Sequence, residues 1–136
     1  MRTPYEPERL GLVRTRGEHG VVVLVLSGEL DMGTAAKLVD AVAQILSTEP
    51  EALILDLSEL TFVSVAGVRA IHAAHDAAGA ARLRVVTGER AVVREFLHAT
   101  RFDAVLDCYR TRNGAVAAGS RAEFVSHARA AWNAGG

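Results

Sequence analysis

The chain has 136 residues, half of them hydrophobic and 23% charged, with a formal net charge of −1. That length carries one domain with a core of its own and is short for two. The near-neutral balance argues against a nucleic-acid binder working through a broad cationic face. A single cysteine, Cys108, cannot close an internal disulfide or by itself build a cysteine-rich zinc site. Cysteine usage therefore points to a reducing compartment, the cytoplasm. The longest apolar run, Val21 to Leu26, has the length of a strand, not the ~20 residues of a membrane helix. The first residues lack the apolar core of a signal peptide.

Residues 1–8 carry two prolines and no periodicity, and read as a loose arm. Leu10 to Arg14 is a strand, followed by a glycine-containing turn, Arg16-Gly-Glu-His-Gly20. Val21 to Ser27 is β-branched and continuously apolar, the pattern of a strand buried on both faces, and the short connection predicts an antiparallel hairpin. From about residue 33 the period becomes helical, through Ala35, Leu38, Val39, Val42, Ile45 and Leu46, with Thr34 as N-cap and Pro50 closing the segment. Residues 52–57 form a second buried strand, and Ser58 to Ser64 reads as a loop. A helix over Val65–Ala78 is stopped by Gly79, and residues 83–86 are a third core strand. Glu89 to Ala99 is a helix with Val92, Val93, Phe96 and Leu97 turned inward, and a short edge strand follows at about 104–107. From Asn113 onward the sequence predicts Ala-rich helix, with Ser120-Arg-Ala-Glu123 as a capping box ahead of Phe124, Val125, Ala128 and Trp132. Strands joined by single-helix crossovers after an opening hairpin define an α/β fold with a mostly parallel sheet. The expected boundaries are an arm over 1–8, a domain over 9–112 and a helical extension over 113–136.

Catalytic signatures are sparse. His72, His75 and Asp76 share a helix at spacings that can touch a metal, but no second segment contributes ligands. Gly-rich phosphate loops are absent. Ser64 could be paired with Asp56 as a nucleophile site. It lacks the Gly-x-Ser-x-Gly context, however, and also suits a helix N-cap. No cofactor or metal is expected. Phe124 and Trp132 fit intramolecular packing or a partner-binding stripe.

The most specific constellation is Leu26-Ser-Gly-Glu-Leu-Asp31, then Thr34-Ala35, then Leu55-Asp-Leu-Ser-Glu-Leu-Thr-Phe62 leading to Gly67-Val68. In these motifs the chain resembles the STAS domain (sulphate transporter and anti-sigma-factor antagonist), in particular the stand-alone bacterial anti-sigma-factor antagonists. Order and spacing agree from about residue 8 to 112. The resemblance implies a mixed sheet of four or five strands with helices mainly on one face. It also implies a non-enzymatic protein that docks onto an anti-sigma factor, often a serine kinase, and so frees a sigma factor.

In that family the loop before the second helix reads Phe-[Met/Ile/Val]-Asp-Ser-[Ser/Thr]-Gly, and its first serine accepts phosphate. Here it is Phe62-Val-Ser-Val-Ala-Gly67. Ser64 stands at the Asp position, Val65 at the phosphoacceptor position and Ala66 after it. Arg69 stands where a second small Gly is common, and Thr100-Arg-Phe102 replaces Thr-Gly-Leu. Val65 has no hydroxyl, so a phosphate switch cannot operate at that position. The expectation is an anti-sigma-factor antagonist that binds its partner without phosphorylation there, through Asp31, Ser64, Val65, Ala66, Gly67 and Arg69. Asp31 enters by resemblance, and a turn residue preceding a helix explains it equally well. Direct nucleic-acid binding and membrane insertion are not expected. The alternative is a subunit of a transport or sensor complex that binds an ATPase, a permease or a small ligand.

Overall fold

The computed structural model describes residues 9–79, 82–101 and 106–118. Strand β1 (Leu10–Arg16) folds back on β2 (Val21–Leu30) as the antiparallel hairpin, in register from Leu10↔Gly28 to Arg16↔Val22. His19 and Gly20 supply the turn's positive φ angles, 58° and 74°. Helix α1 (Ala35–Leu46) then carries the chain to β3 (Ala52–Val63), which lies parallel to β2. Helix α2 (Val65–Ala78), β4 (Leu83–Val86), α3 (Ala91–Ala99) and β5 (Cys108–Tyr109) follow, and a helical segment occupies residues 112–118. The sheet has five strands in sequence order, antiparallel at its first pair and parallel thereafter. The mixed, mostly parallel α/β architecture is therefore as the sequence predicts.

Three local expectations need correction. β2 runs on through Leu30, and β3 continues through Val63 across residues assigned above to a loop. The reason is two irregularities in the β2–β3 register. Val25↔Asp56 is followed by Ser27↔Glu59, and Gly28↔Leu60 by Glu29↔Phe62, so β3 holds an extra residue at each step. Such bulges break the alternation by which a strand is recognised. The edge strand is also displaced: pairing to β4 is made by Cys108 and Tyr109, whereas Leu106 turns its side chain into the core. A two-residue strand has no period to read, and its position is set by where the chain meets β4. The expectations for residues 1–8, for 104–105, for the Val92 side chain and for the sequence after Ala118, including the capping box, lie outside what is described.

Helices α1, α2 and α3 cover one sheet face, where Leu38, Val42, Ile45, Val68, Ile71, Val93 and Leu97 pack with Leu24, Leu26, Leu53, Leu55 and Val85. The other face is smaller: Val23, Ile54 and Val86 meet Ala115 of the 112–118 segment. Asp56 lies on this second face, 3% exposed. Its carboxylate accepts from the Ser58 N–H at 3.0 Å and from Arg112 Nη2 and Nε at 2.8 and 3.2 Å. Burial alone would raise its pKa, but the Ser58 hydrogen bonds and the Arg112 guanidinium outweigh it and hold the carboxyl below the usual aspartate range.

The sign of that shift fixes a pH dependence. A depressed carboxyl contributes stability that is fully present above its unfolded pKa, about 4, and is lost as pH falls through the lower folded value. Arg112→Ala leaves Asp56 buried with one acceptor site unfilled and should cost about 1–3 kcal/mol at neutral pH. The difference from wild type should shrink on acidification, as urea titrations at pH 7 and pH 3 would measure.

Candidate functional site

The C-terminal ends of β2 and β3 are paired, Glu29 with Phe62 and Leu30 with Val63. The chain leaves both ends into helix N-termini, so the Asp31 turn and the Ser64 loop lie side by side. Two contacts on Leu30 join them. Its carbonyl accepts the Ser64 N–H at 2.9 Å. A Cβ placed on Gly67 would stand 2.5 Å from that same oxygen and 2.8 Å from the Leu30 Cγ. Gly67 is buried, and what it contributes is the close packing of α2's first turn on β2.

Ser64 is the N-cap of α2, with extended backbone (φ −102°, ψ 173°), and its Oγ accepts the Gly67 N–H at 3.2 Å. Val65 is 47% exposed at the head of the helix, and Arg69, one turn later on the same face, is exposed as well. Ala66 is half-buried between them. Of the residues proposed from the sequence, the side chains open to a partner are thus Val65 and Arg69, with Ser64 and Ala66 partly so.

Asp31 has a different geometry. Its Oδ1 accepts the N–H groups of Gly33 and Thr34 at 2.9 and 3.1 Å, an Asx turn that starts α1. Its other oxygen pairs with Arg9, whose Nε also donates to Glu29 at 3.2 Å. Thr34, expected as the N-cap, makes no capping bond to α1. Its hydroxyl instead donates to the Glu29 carbonyl and accepts the Asp31 N–H, both at 2.9 Å. The acidic residues of Gly-Glu-Leu-Asp are therefore tied down within the chain.

Two residues not selected from the sequence border this site. Met32 is 82% exposed at the tip of the Asp31 turn, and Phe62 is 48% exposed at the end of β3. The second β3 bulge explains Phe62. With an extra residue at Thr61, Leu60 and Val63 both point inward and Phe62 points out. Thr61 Oγ1 closes the irregularity by donating to the Gly28 carbonyl at 3.1 Å. Strict alternation from Leu60 would have buried the ring, so the only sequence signal was an aromatic residue inside an assumed loop.

The catalytic alternatives fare differently. Asp56 and Ser64 are separated by eight residues of β3, on the order of 20–25 Å, which excludes their acting as one site. His72 and His75 each have Nδ1 near Asp76, at 3.4 and 3.6 Å, but among the described residues no group of three side chains is arranged to hold a metal ion.

The Asx turn yields a direct test. Asp31→Asn keeps the acceptor for Gly33 and Thr34 and should melt within a degree or two of wild type, on the order of 0.5 kcal/mol or less for the exposed Arg9 pair. Asp31→Ala removes the acceptor and should lose about 1 kcal/mol, visible as a lower midpoint in thermal denaturation.

Comparison with known proteins agrees with this geometry. The STAS domain family model matches residues 13–115. The anti-sigma-F factor antagonist RsfB of Mycobacterium tuberculosis is 29% identical over 104 residues, which is 76% of this chain and 85% of RsfB. The crystal structure of an anti-sigma factor antagonist from Mycobacterium paratuberculosis superposes with a TM-score of 0.76 at 26% identity, over 88% of this chain and 99% of that one. The unphosphorylated anti-sigma factor antagonist SpoIIAA from Bacillus shares the fold, with a TM-score of 0.60 at 17% identity over 82% and 98% of the two chains. Fold, motif positions and the family match converge, and the chain belongs to the STAS domain family.

Proposed function

We propose that this protein is a non-enzymatic anti-sigma-factor antagonist that docks onto an anti-sigma factor through the paired ends of β2 and β3. The observation that carries the reading is the exposure of Val65, Phe62 and Met32 beside Arg69, on a platform held by Leu30, Ser64 and Gly67. Exposed apolar side chains grouped with an arginine suit a protein contact. Asp31 and Gly67 set the shape of this surface from beneath. The mycobacterial relatives, both named as antagonists, favour an anti-sigma-factor partner over a transport or sensor complex. Such a partner would be met in the cytoplasm. Among the described residues no helix is long and apolar enough to cross a membrane.

Binding in this reading is constitutive with respect to the usual switch position. A phosphate at a helix N-terminus is tolerated by its own domain, since free N–H groups and the helix dipole favour an anion there. The added charge acts instead on the partner. Val65 offers no hydroxyl and leaves an apolar surface in that place. Ser64, one residue earlier, has its oxygen engaged in the cap.

Co-purification with the cognate anti-sigma factor tests the docking, and failure to associate at micromolar concentration removes the reading. Arg69→Ala should change the affinity at least several-fold in calorimetry while leaving the melting temperature almost unchanged. Unaltered binding would move the interface away from the start of α2. Incubation of the wild type with ATP and a kinase-type partner should leave the intact mass unchanged. Ser64→Asp combined with Val65→Ser should gain one phosphate. A stoichiometric phosphate on wild-type Ser64 that abolishes binding would mean that the switch has moved by one residue.

A further inference from the structure

At the end of α2 remote from Val65, about 20 Å away along a helix of fourteen residues, the structure holds a second feature that docking does not use. A cavity of about 430 Å³ opens between the last turn of α2 and the start of β4, walled by His75, Asp76, Arg82, Arg84, Asp107 and Tyr109 among others. The volume lies in the range of small-molecule sites.

Arg84 decides what such a cavity can hold. Its pairing with Ile54 puts it on the smaller face of the sheet, next to the 112–118 segment. It is 6% exposed, yet among the described residues it makes no hydrogen bond or ion pair. Its guanidinium is a planar, delocalised cation that presents its donors in a rigid fork. A charge in that setting carries a desolvation penalty that only an opposite charge or a set of acceptors offsets. His75 lines the cavity from α2, on the other side of the sheet, and its Nδ1 is buried away from the opening without a hydrogen-bond partner. Asp76 Oδ1, 3.6 Å away, is near enough to orient the ring but too far to accept a hydrogen bond from it. Arg82, Asp76 and Asp107 are exposed and form the rim.

We propose that this cavity is a binding site for a small oxyanion, a carboxylate or a phosphate monoester, held by the Arg84 fork. Planar, bidentate acceptors match a guanidinium better than a spherical ion does. The two rim carboxylates disfavour a highly charged anion, while Arg82 supplies the entry with a cation. The site is independent of the docking surface and stands or falls separately from it.

The test uses the full chain, labelled with nitrogen-15, titrated with inorganic phosphate and in parallel with acetate, against sodium chloride at matched ionic strength. The Arg84 Nε–H and the amides of Leu83 to Val85 should shift saturably with millimolar phosphate or acetate and stay still in chloride. The arm that saturates at lower concentration identifies the anion class. Arg84→Met should abolish the saturable shift of the amides and melt no lower than wild type, because it removes an unpaired buried charge. Arg84→Lys, a second variant that keeps the charge but not the fork, should bind at least fivefold more weakly. No saturable shift in the wild type, an equal response to chloride, or retention of the response in Arg84→Met overturns the proposal.

Discussion

Everything at the candidate surface is referred to one atom, the Leu30 carbonyl oxygen. It ends the β2–β3 ladder by accepting the Ser64 N–H, and it is the atom that a Cβ on Gly67 would strike. A strand end, a loop and a helix start thus share one contact, and any side chain at position 67 would force them apart. Close approach of this kind needs glycine because no rotamer can remove a Cβ. The positions of Val65 and Arg69 relative to the Asp31 turn follow from it, since both lie within a turn of Gly67 on the same helix.

The sheet makes that arrangement rigid. Buried side chains from three helices pack on one face, and the strands that end at the site are its most extensively paired parallel strands. A surface built on such a base presents its side chains with little reorganisation, which favours recognition. By contrast the other face rests on a small cluster around Ala115 and on the Asp56–Arg112 pair, and a large part of its security is electrostatic.

Those parts of the fold that keep a regular period were legible in the sequence. Val21 to Ser27, Leu38 through Ile45, and the Ser64 cap read directly, because burial on both faces, helical spacing and capping each leave a local pattern. What was hidden depended on partners distant in sequence. The end of β3 looked like a loop because two bulges interrupt alternation. The same bulge sends Phe62 outward, so the ring's exposure could not be inferred from its own neighbourhood. Asp31 was recognised through its motif, yet its tie to Arg9 spans two strands and has no sequence signature. Arg112 is similar: nothing local says that an arginine in a polar stretch will reach a carboxylate on the third strand. Arg84 offered no warning either, sitting as an ordinary charge within Leu83-Arg-Val-Val86 until the register placed it under a helical segment.

The two borders of the sheet have a consequence for how this domain meets other proteins. β1 forms one border, seven residues long, with Arg14 and Arg16 exposed along it. At the other border, among the described residues, β5 pairs through two residues. Cationic side chains on one side and brevity on the other both discourage the addition of a foreign strand. Association by lengthening the ladder is therefore disfavoured, which leaves the ends of the strands, where side chains instead of backbone amides face outward. Selectivity in such a domain can be rewritten one side chain at a time without disturbing the sheet that carries it.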